Sequence, residues 1–198
     1  MQVTKLIILG RDGILNRYRE DHVKEPDEWE PIEGALEAVA RLNHAGWHAV
    51  VATNQAGIGR GMIDMSSLNA VHQQMMRCLS EVGGRLDAVF FCPHASEDQC
   101  ECRKPLPGMM LEIARRYGVN PSEIPMACDN LRDLRAAAAA GCQPHLIATG
   151  RAAGLDESQL QALAQQVPGT RVHADLRALA DLLLQSAPRA AAPARSGA

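Results

Sequence analysis

The sequence predicts a doubly wound parallel sheet with helices on both faces, and three observations lead there. Apolar runs without alternation, such as Leu6-Ile7-Ile8-Leu9 and Ala49-Val50-Val51-Ala52, read as strands buried on both faces. Stretches with helical spacing separate these runs, so strand and helix alternate along the chain. Glycine-rich loops follow two of the strands directly, at Gly10-Arg11-Asp12-Gly13 and at Thr53-Asn54-Gln55-Ala56-Gly57-Ile58-Gly59. Such loops at the carboxyl edge of a parallel sheet are where open α/β folds place their chemistry.

In chain order, residues 6–9 form the first strand and residues 17–31 a long polar loop containing Pro26 and Pro31, expected to act as a flap over the site. Residues 33–45 repeat Ala35, Leu36, Val39 and Leu42 at helical spacing and stop at Gly46, a helix terminator. A second strand covers residues 47–52. Ser66 or Ser67 is the expected cap of a helix reaching about Val82, where Gly83-Gly84 breaks it. A third strand follows at 86–91, then a cysteine-rich loop and a helix opening at Pro107-Gly108. Further strands are expected at 124–128 and 142–148, around an alanine-rich helix ending at Gly141. The pattern then weakens to a helix at 157–166, a short strand at 171–172 and a helix at 176–185. Right-handed crossovers between parallel strands complete the expectation.

The chain has 198 residues, enough for one well-buried domain, expected over 1–185. Residues 186–198 are Ala, Pro, Arg, Ser and Gly and read as a disordered tail. A net charge of -3 and six aromatic residues argue against a nucleic-acid module, which needs a basic surface and stacking platforms. No apolar run reaches the length of a membrane span, and Met1-Gln2-Val3-Thr4-Lys5 leads into a strand rather than a signal-peptide pattern. The expectation is a cytoplasmic monomer that engages neither nucleic acid nor membrane.

Six cysteines could form disulfides in a secreted chain, but three lie within eleven residues with a histidine among them. Cys92-Pro93-His94 and Cys100-Glu101-Cys102 supply three thiolates and one imidazole, a closed tetrahedral set for a structural Zn²⁺. Free loop cysteines are the plainer alternative. Cys78 and Cys142 read as buried small apolar residues. His22, His44, His48, His72, His145 and His173 stand in no paired metal-ligand setting and read as surface or core residues.

Asp12, Thr53, Lys104 and Asp129 fall at or after predicted strand ends, so one edge of a parallel sheet would gather them. Two carboxylates beside a lysine and a hydroxyl suit Mg²⁺ and a phosphate group.

These motifs resemble those of the haloacid dehalogenase phosphohydrolases, in particular the heptose-bisphosphate phosphatase and histidinol-phosphatase branch. The matching residues are Asp12-Gly13 with Asn16, Thr53-Asn54-Gln55, Cys102-Arg103-Lys104-Pro105 and Asp129 with Asp133. The resemblance covers about residues 5 to 150 and implies a Rossmann-like core; the short connections argue against a large cap domain. It further implies that Asp12 is the general acid and base, also offering its backbone carbonyl to Mg²⁺, and that Asp129 binds Mg²⁺. Thr53 and Lys104 would hold the transferring phosphoryl group, and Asn54, Gln55 and Arg103 would line the substrate site. The cysteine loop also resembles the zinc loop of the heptose-bisphosphate branch. The substrate implied is a small phosphorylated sugar, a heptose 1,7-bisphosphate losing its 7-phosphate.

The chain departs from that pattern at the nucleophile, where Gly10 stands in place of aspartate. Cys128, Asn130 and the segment Tyr18-Arg19-Glu20-Asp21 also differ. Without a side chain at Gly10 there is neither a nucleophile nor one of the Mg²⁺ ligands, so the expected enzyme is inactive or strongly impaired. The competing functions are a Mg²⁺-dependent phosphatase and a silent protein that binds a sugar phosphate without turning it over; a histidinol-phosphate specificity is a further variant.

Overall fold

The computed structural model describes residues 4–185. Its elements run β1 (Lys5–Leu9), α1 (Ala35–His44), β2 (Trp47–Asn54), α2 (Ala56–Gly59), α3 (Met65–Glu81), β3 (Ala88–Cys92), α4 (Gly108–Tyr117), β4 (Pro125–Cys128), α5 (Leu131–Ala140), β5 (Gln143–Ile147), α6 (Glu157–Gln165), β6 (Arg171–His173) and α7 (Leu176–Gln185). All six strands are parallel, in the order β3-β2-β1-β4-β5-β6. This is the doubly wound, Rossmann-like sheet the sequence predicts.

Successive residues of a strand point to opposite faces, and here each face carries its own core. Ile7 and Leu9 pack with Val39 and Leu42 of α1, Val71 and Met75 of α3 and Leu179 of α7. Leu6 and Ile8 pack on the other side with Met110 and Ile113 of α4, Leu134 and Ala137 of α5 and Leu160 of α6. The run 6–9 is therefore apolar at every position because both faces are covered, each large side chain contributing about 1.5–3 kcal/mol of burial.

The structure shifts several element boundaries. Helix α1 starts at Ala35 because Gly34, at φ 75°, turns the chain into it. The cap of α3 is Asp64, whose Oδ1 accepts from the Ser67 backbone N at 2.7 Å; Ser66 and Ser67 lie inside the first turn. Strand β3 begins two residues later than expected and ends on Cys92, and β2 continues through Thr53 to Asn54. The 17–31 loop folds back on itself around a 3-10 turn at Pro26–Glu28, closed at its base by Arg17 N donating to the Glu30 carbonyl at 2.8 Å. No helix among the described residues is long and apolar enough to cross a membrane. The expected tail at 186–198 lies outside the described residues.

Candidate active site

Strand order reverses between β1, which leads to β2 on one side, and β4 on the other. Open sheets leave a crevice at the carboxyl ends of strands at such a switch point. Gly10 and Asp12 leave β1 there, Thr53 ends β2, and Asp129 follows β4 at once.

Asp12 is held by four side-chain donors. Arg11 Nη2 lies 2.9 and 3.0 Å from its two carboxylate oxygens, and Arg11 Nε adds a third bond at 3.2 Å. Asn16 Nδ2 and Gln55 Nε2 donate at 3.0 and 3.1 Å. Burial by itself would raise the Asp12 carboxyl. The Arg11 charge and these hydrogen bonds outweigh it and hold the group below its ordinary range, ionised. Arg11 is only 1% exposed, with His72 at 3.4 Å on its far side. Burial first, then the Arg11 charge, pushes the His72 imidazole down to about 4, so it stands neutral against that guanidinium.

Asp129 sits in a cradle made of backbone. A Cβ on Gly13 or on Gly150 would collide with its carboxylate, and both glycines have positive φ, at 84° and 57°. The Arg151 backbone N donates to Oδ2 at 2.9 Å, and Asn130 Nδ2 binds Oδ1. The Arg151 guanidinium stays 3.8 Å away and stacks over the Tyr18 ring. Burial raises the Asp129 carboxyl, with Asp133 adding to the effect, and outweighs the Arg151 and Asn130 contacts that lower it.

Gly10 differs from those two glycines. Its φ is not positive, and a Cβ there would meet Ile14 Cγ1 at 3.0 Å and the Ala127 carbonyl at 3.6 Å, contacts that a small side-chain shift relieves. Its amide donates to Ala127 O at 3.2 Å, tying β1 to β4 whatever the side chain. Nothing in the backbone requires glycine here.

Lys104 is twelve residues beyond β3, not at a strand end, and is brought back to the sheet by Asn54. The Asn54 amide donates to the Lys104 carbonyl at 3.0 Å and accepts from its N–H at 3.1 Å. Lys104 Nζ then reaches the Ala52 carbonyl at 2.9 Å and pairs with Asp133. Arg132 Nε takes the other Asp133 oxygen at 3.1 Å. Burial would raise Asp133, but Lys104 and Arg132 override it and keep the carboxylate charged. Thr53 is buried, its Oγ1 accepting from Gln55 Nε2 at 2.9 Å. The amides of Asn54 and Gln55 are therefore engaged within the protein: Asn54 remains in the pocket wall, while Gln55 bridges Thr53 and Asp12 from behind. Arg103 faces the pocket and donates to the His94 carbonyl at 3.1 Å.

The cysteine loop brings its four donors together. Cys92 Sγ lies 3.8 Å from Cys100 Sγ and 3.5 Å from His94 Nδ1, which is 3.3 Å from Cys102 Sγ; all four atoms fall within 4.8 Å of one another. Ligands about 2.3 Å (sulfur) and 2.0 Å (nitrogen) from a tetrahedral Zn²⁺ stand at such separations. Burial first pushes the Cys92 thiol up to about 12, a state that a bound divalent cation reverses. This set can hold a metal.

At the switch point the buried Asp129 carboxylate could hold a hard cation such as Mg²⁺, which commonly keeps water in its remaining positions.

Arg11 and Arg151 join the site without having been singled out from the sequence, and His72, expected only as a surface or core residue, backs Arg11. Tyr18, Arg19 and Glu20 line the same pocket although their segment departs from the family pattern. Asp133, four residues after Asp129 on the first turn of α5, carried a usable signal; a buried Arg11 did not.

Comparison with known proteins agrees with this geometry. The chain is 51% identical over 185 residues, 92% of its length and 99% of the relative's, to the D-glycero-beta-D-manno-heptose-1,7-bisphosphate 7-phosphatase of Bordetella bronchiseptica. It is 44% identical over 181 residues to the enzyme of the same name from Pseudomonas aeruginosa, covering 91% and 98% of the two chains. The crystal structure of D,D-heptose 1,7-bisphosphate phosphatase from B. bronchiseptica, complexed with magnesium and phosphate, superimposes with a TM-score of 0.83 at 49% identity, over 93% of this chain and 100% of that one. The Burkholderia thailandensis enzyme gives 0.70 at 47% identity, over 91% and 99%. The family model for haloacid dehalogenase-like hydrolases matches residues 2–141, and the chain belongs to that family.

Proposed function

We propose that this chain takes a heptose 1,7-bisphosphate into the pocket between β1 and β4, as a phosphatase of the 7-phosphatase type disarmed at Gly10. The observation that carries the reading is a contrast inside one loop. Asp12 is fully clamped and ionised, Lys104 lies in the same pocket wall tied to Ala52 and Asp133, Thr53 is tied to Gln55, and the residue two places before Asp12 has no side chain. The activity for which the relatives are named supports the sugar bisphosphate as ligand.

In this reading Lys104 and Thr53 hold the phosphoryl group, Arg103 reads the substrate at the rim, and Asp12 takes or returns a proton. Lys104 would have to exchange part of its contact with Asp133 for a phosphate oxygen. A Mg²⁺ on Asp129 and the Asp12 carbonyl would neutralise phosphate charge. Zn²⁺ on Cys92, His94, Cys100 and Cys102 would fix the loop that carries Arg103 and Lys104, a positioning role. With no carboxylate at Gly10, no acyl-phosphate forms. The groups present leave only water attack assisted by Asp12, and losing a covalent nucleophile typically lowers kcat by about 10⁴ to 10⁶.

The test is ³¹P NMR of heptose 1,7-bisphosphate incubated with the chain and Mg²⁺. The expected spectrum shows saturable perturbation of both phosphate resonances without loss of the 7-phosphate. Prompt release of the 7-phosphate would overturn the disarmed reading, and no perturbation would overturn the ligand.

A further inference from the structure

Gly10 removes a negative charge as well as a nucleophile, and the charge has its own consequence. The pocket wall carries six cations, Arg11, Arg19, Arg103, Lys104, Arg132 and Arg151, against the carboxylates Asp12, Glu20 and Asp133. Asp129 lies behind the wall as a fourth carboxylate, under Gly13 and Gly150. Arg19 is paired outside the wall with Asp21 and Glu28, and Arg151 lies 3.8 Å from Asp129, so the positive excess of the crevice falls on Arg103 and on the two cations that share Asp133. Arg11 is neutralised on Asp12, and Lys104 with Arg132 shares Asp133. Arg103 meets no carboxylate within ion-pair distance among the described residues and faces the cavity.

We infer that this pocket binds a phosphate dianion without a divalent cation, because the carboxylate that would repel it at the end of β1 is missing while Arg103 and its neighbours remain. The inference rests on reading the pocket as a phosphate-ester site. An aspartate at position 10 would add a third carboxylate beside Asp12 and Asp129, and a cation would then be needed to offset their repulsion. Unit charges a few Å apart at a partly buried site change affinity by about tenfold or more.

The experiment is calorimetric titration of inorganic phosphate into zinc-loaded protein, with Mg²⁺ omitted and with Mg²⁺ added. Gly10→Asp is compared with Gly10→Asn, which has the same shape and no charge; the Cβ of either would meet Ile14 Cγ1 at 3.0 Å and the Ala127 carbonyl at 3.6 Å. The chain and Gly10→Asn are expected to bind phosphate within about threefold with or without Mg²⁺. Gly10→Asp is expected to bind at least about tenfold more weakly when Mg²⁺ is omitted. Arg103→Gln should weaken the Mg²⁺-free binding by a similar factor. Binding by the chain only when Mg²⁺ is present would overturn the inference, as would Gly10→Asn behaving like Gly10→Asp, unaffected binding in Arg103→Gln, or no phosphate binding at all. If phosphate binds without Mg²⁺ but heptose 1,7-bisphosphate binds no tighter, the substrate reading falls and this inference stands.

Discussion

Two loops at the same edge of the sheet have different standing. Cys92 at the end of β3 and three residues of the loop after it offer four metal donors at mutual distances that suit a tetrahedral ion, which would fasten the backbone that carries Arg103 and Lys104. The loop after β1 keeps the full clamp on Asp12 and the backbone tie of Gly10 to Ala127, yet lacks the side chain on which covalent chemistry depends. The difference teaches that folding and turnover rest on separate residues here. Removing a cysteine donor is expected to loosen the loop, whereas the backbone at position 10 is ordinary and does not require glycine.

The comparison breaks most visibly at the cysteine loop. Cys92→Ser, which also buries a hydroxyl in an apolar strand end, is expected to abolish stoichiometric zinc and the order of residues 93–107. The loss is of the apparent metal-binding free energy, on the order of 10 kcal/mol. Metal analysis together with amide exchange across that loop would check it, and full protection without metal would contradict the assignment.

A smaller effect comes from the bridge between the two loops. Lys104→Ala leaves Asp133 buried with only Arg132 beside it, and breaking a buried pair costs about 3–5 kcal/mol. Urea unfolding should show that drop, while Lys104→Ala/Asp133→Leu should recover part of it; a change below 1 kcal/mol (~) in the single variant would mean the pair is solvated.

Spread over a pH range rather than lost in one step is the response to acid, in which His145 is independent of either loop while His72 packs against Arg11 of the loop after β1. His72 and His145 are buried, with imidazoles pushed by burial down to about 4 and about 3 from an ordinary value of 6.5. The unfolded chain therefore binds more protons than the folded one between those values. Stability is fully present above about pH 6.5 and falls as pH drops toward the folded values, by about 1.4 kcal/mol per pH unit for each group. His145 also shares a 2.9 Å contact with His173, whose own imidazole is lowered by burial. Thermal unfolding from pH 7 to 4.5 should show the slope, and His145→Asn should flatten it. A slope unchanged in that variant would place the proton uptake elsewhere.

The parts of this molecule legible in its sequence are those set by local pattern. The run at 6–9 announces a two-faced strand, Gly141 ends a helix at φ 80°, and the Cys-x-His and Cys-x-Cys pairs announce a shared ion site. What stayed hidden depends on approach between distant segments. Nothing near Asn54 in sequence indicates that its amide pins the Lys104 backbone fifty residues on, nor does Gln55 announce itself as a bridge between Thr53 and Asp12. Nothing in the sequence marks Arg11 as a buried residue. It is buried because its guanidinium lies between the Asp12 carboxylate and the neutral His72 of α3, a helix that begins more than fifty residues later. Gly13 and Gly150 likewise show their reason only when Asp129 is seen lodged against both.

The central claim, an intact phosphatase scaffold disarmed at one position, is tested most directly by phosphate release from heptose 1,7-bisphosphate with Mg²⁺ by the chain and by Gly10→Asp. The account predicts turnover about 10⁴ to 10⁶ times faster in the variant, equivalent to about 5–8 kcal/mol of barrier. Equal and substantial rates in both proteins would contradict it.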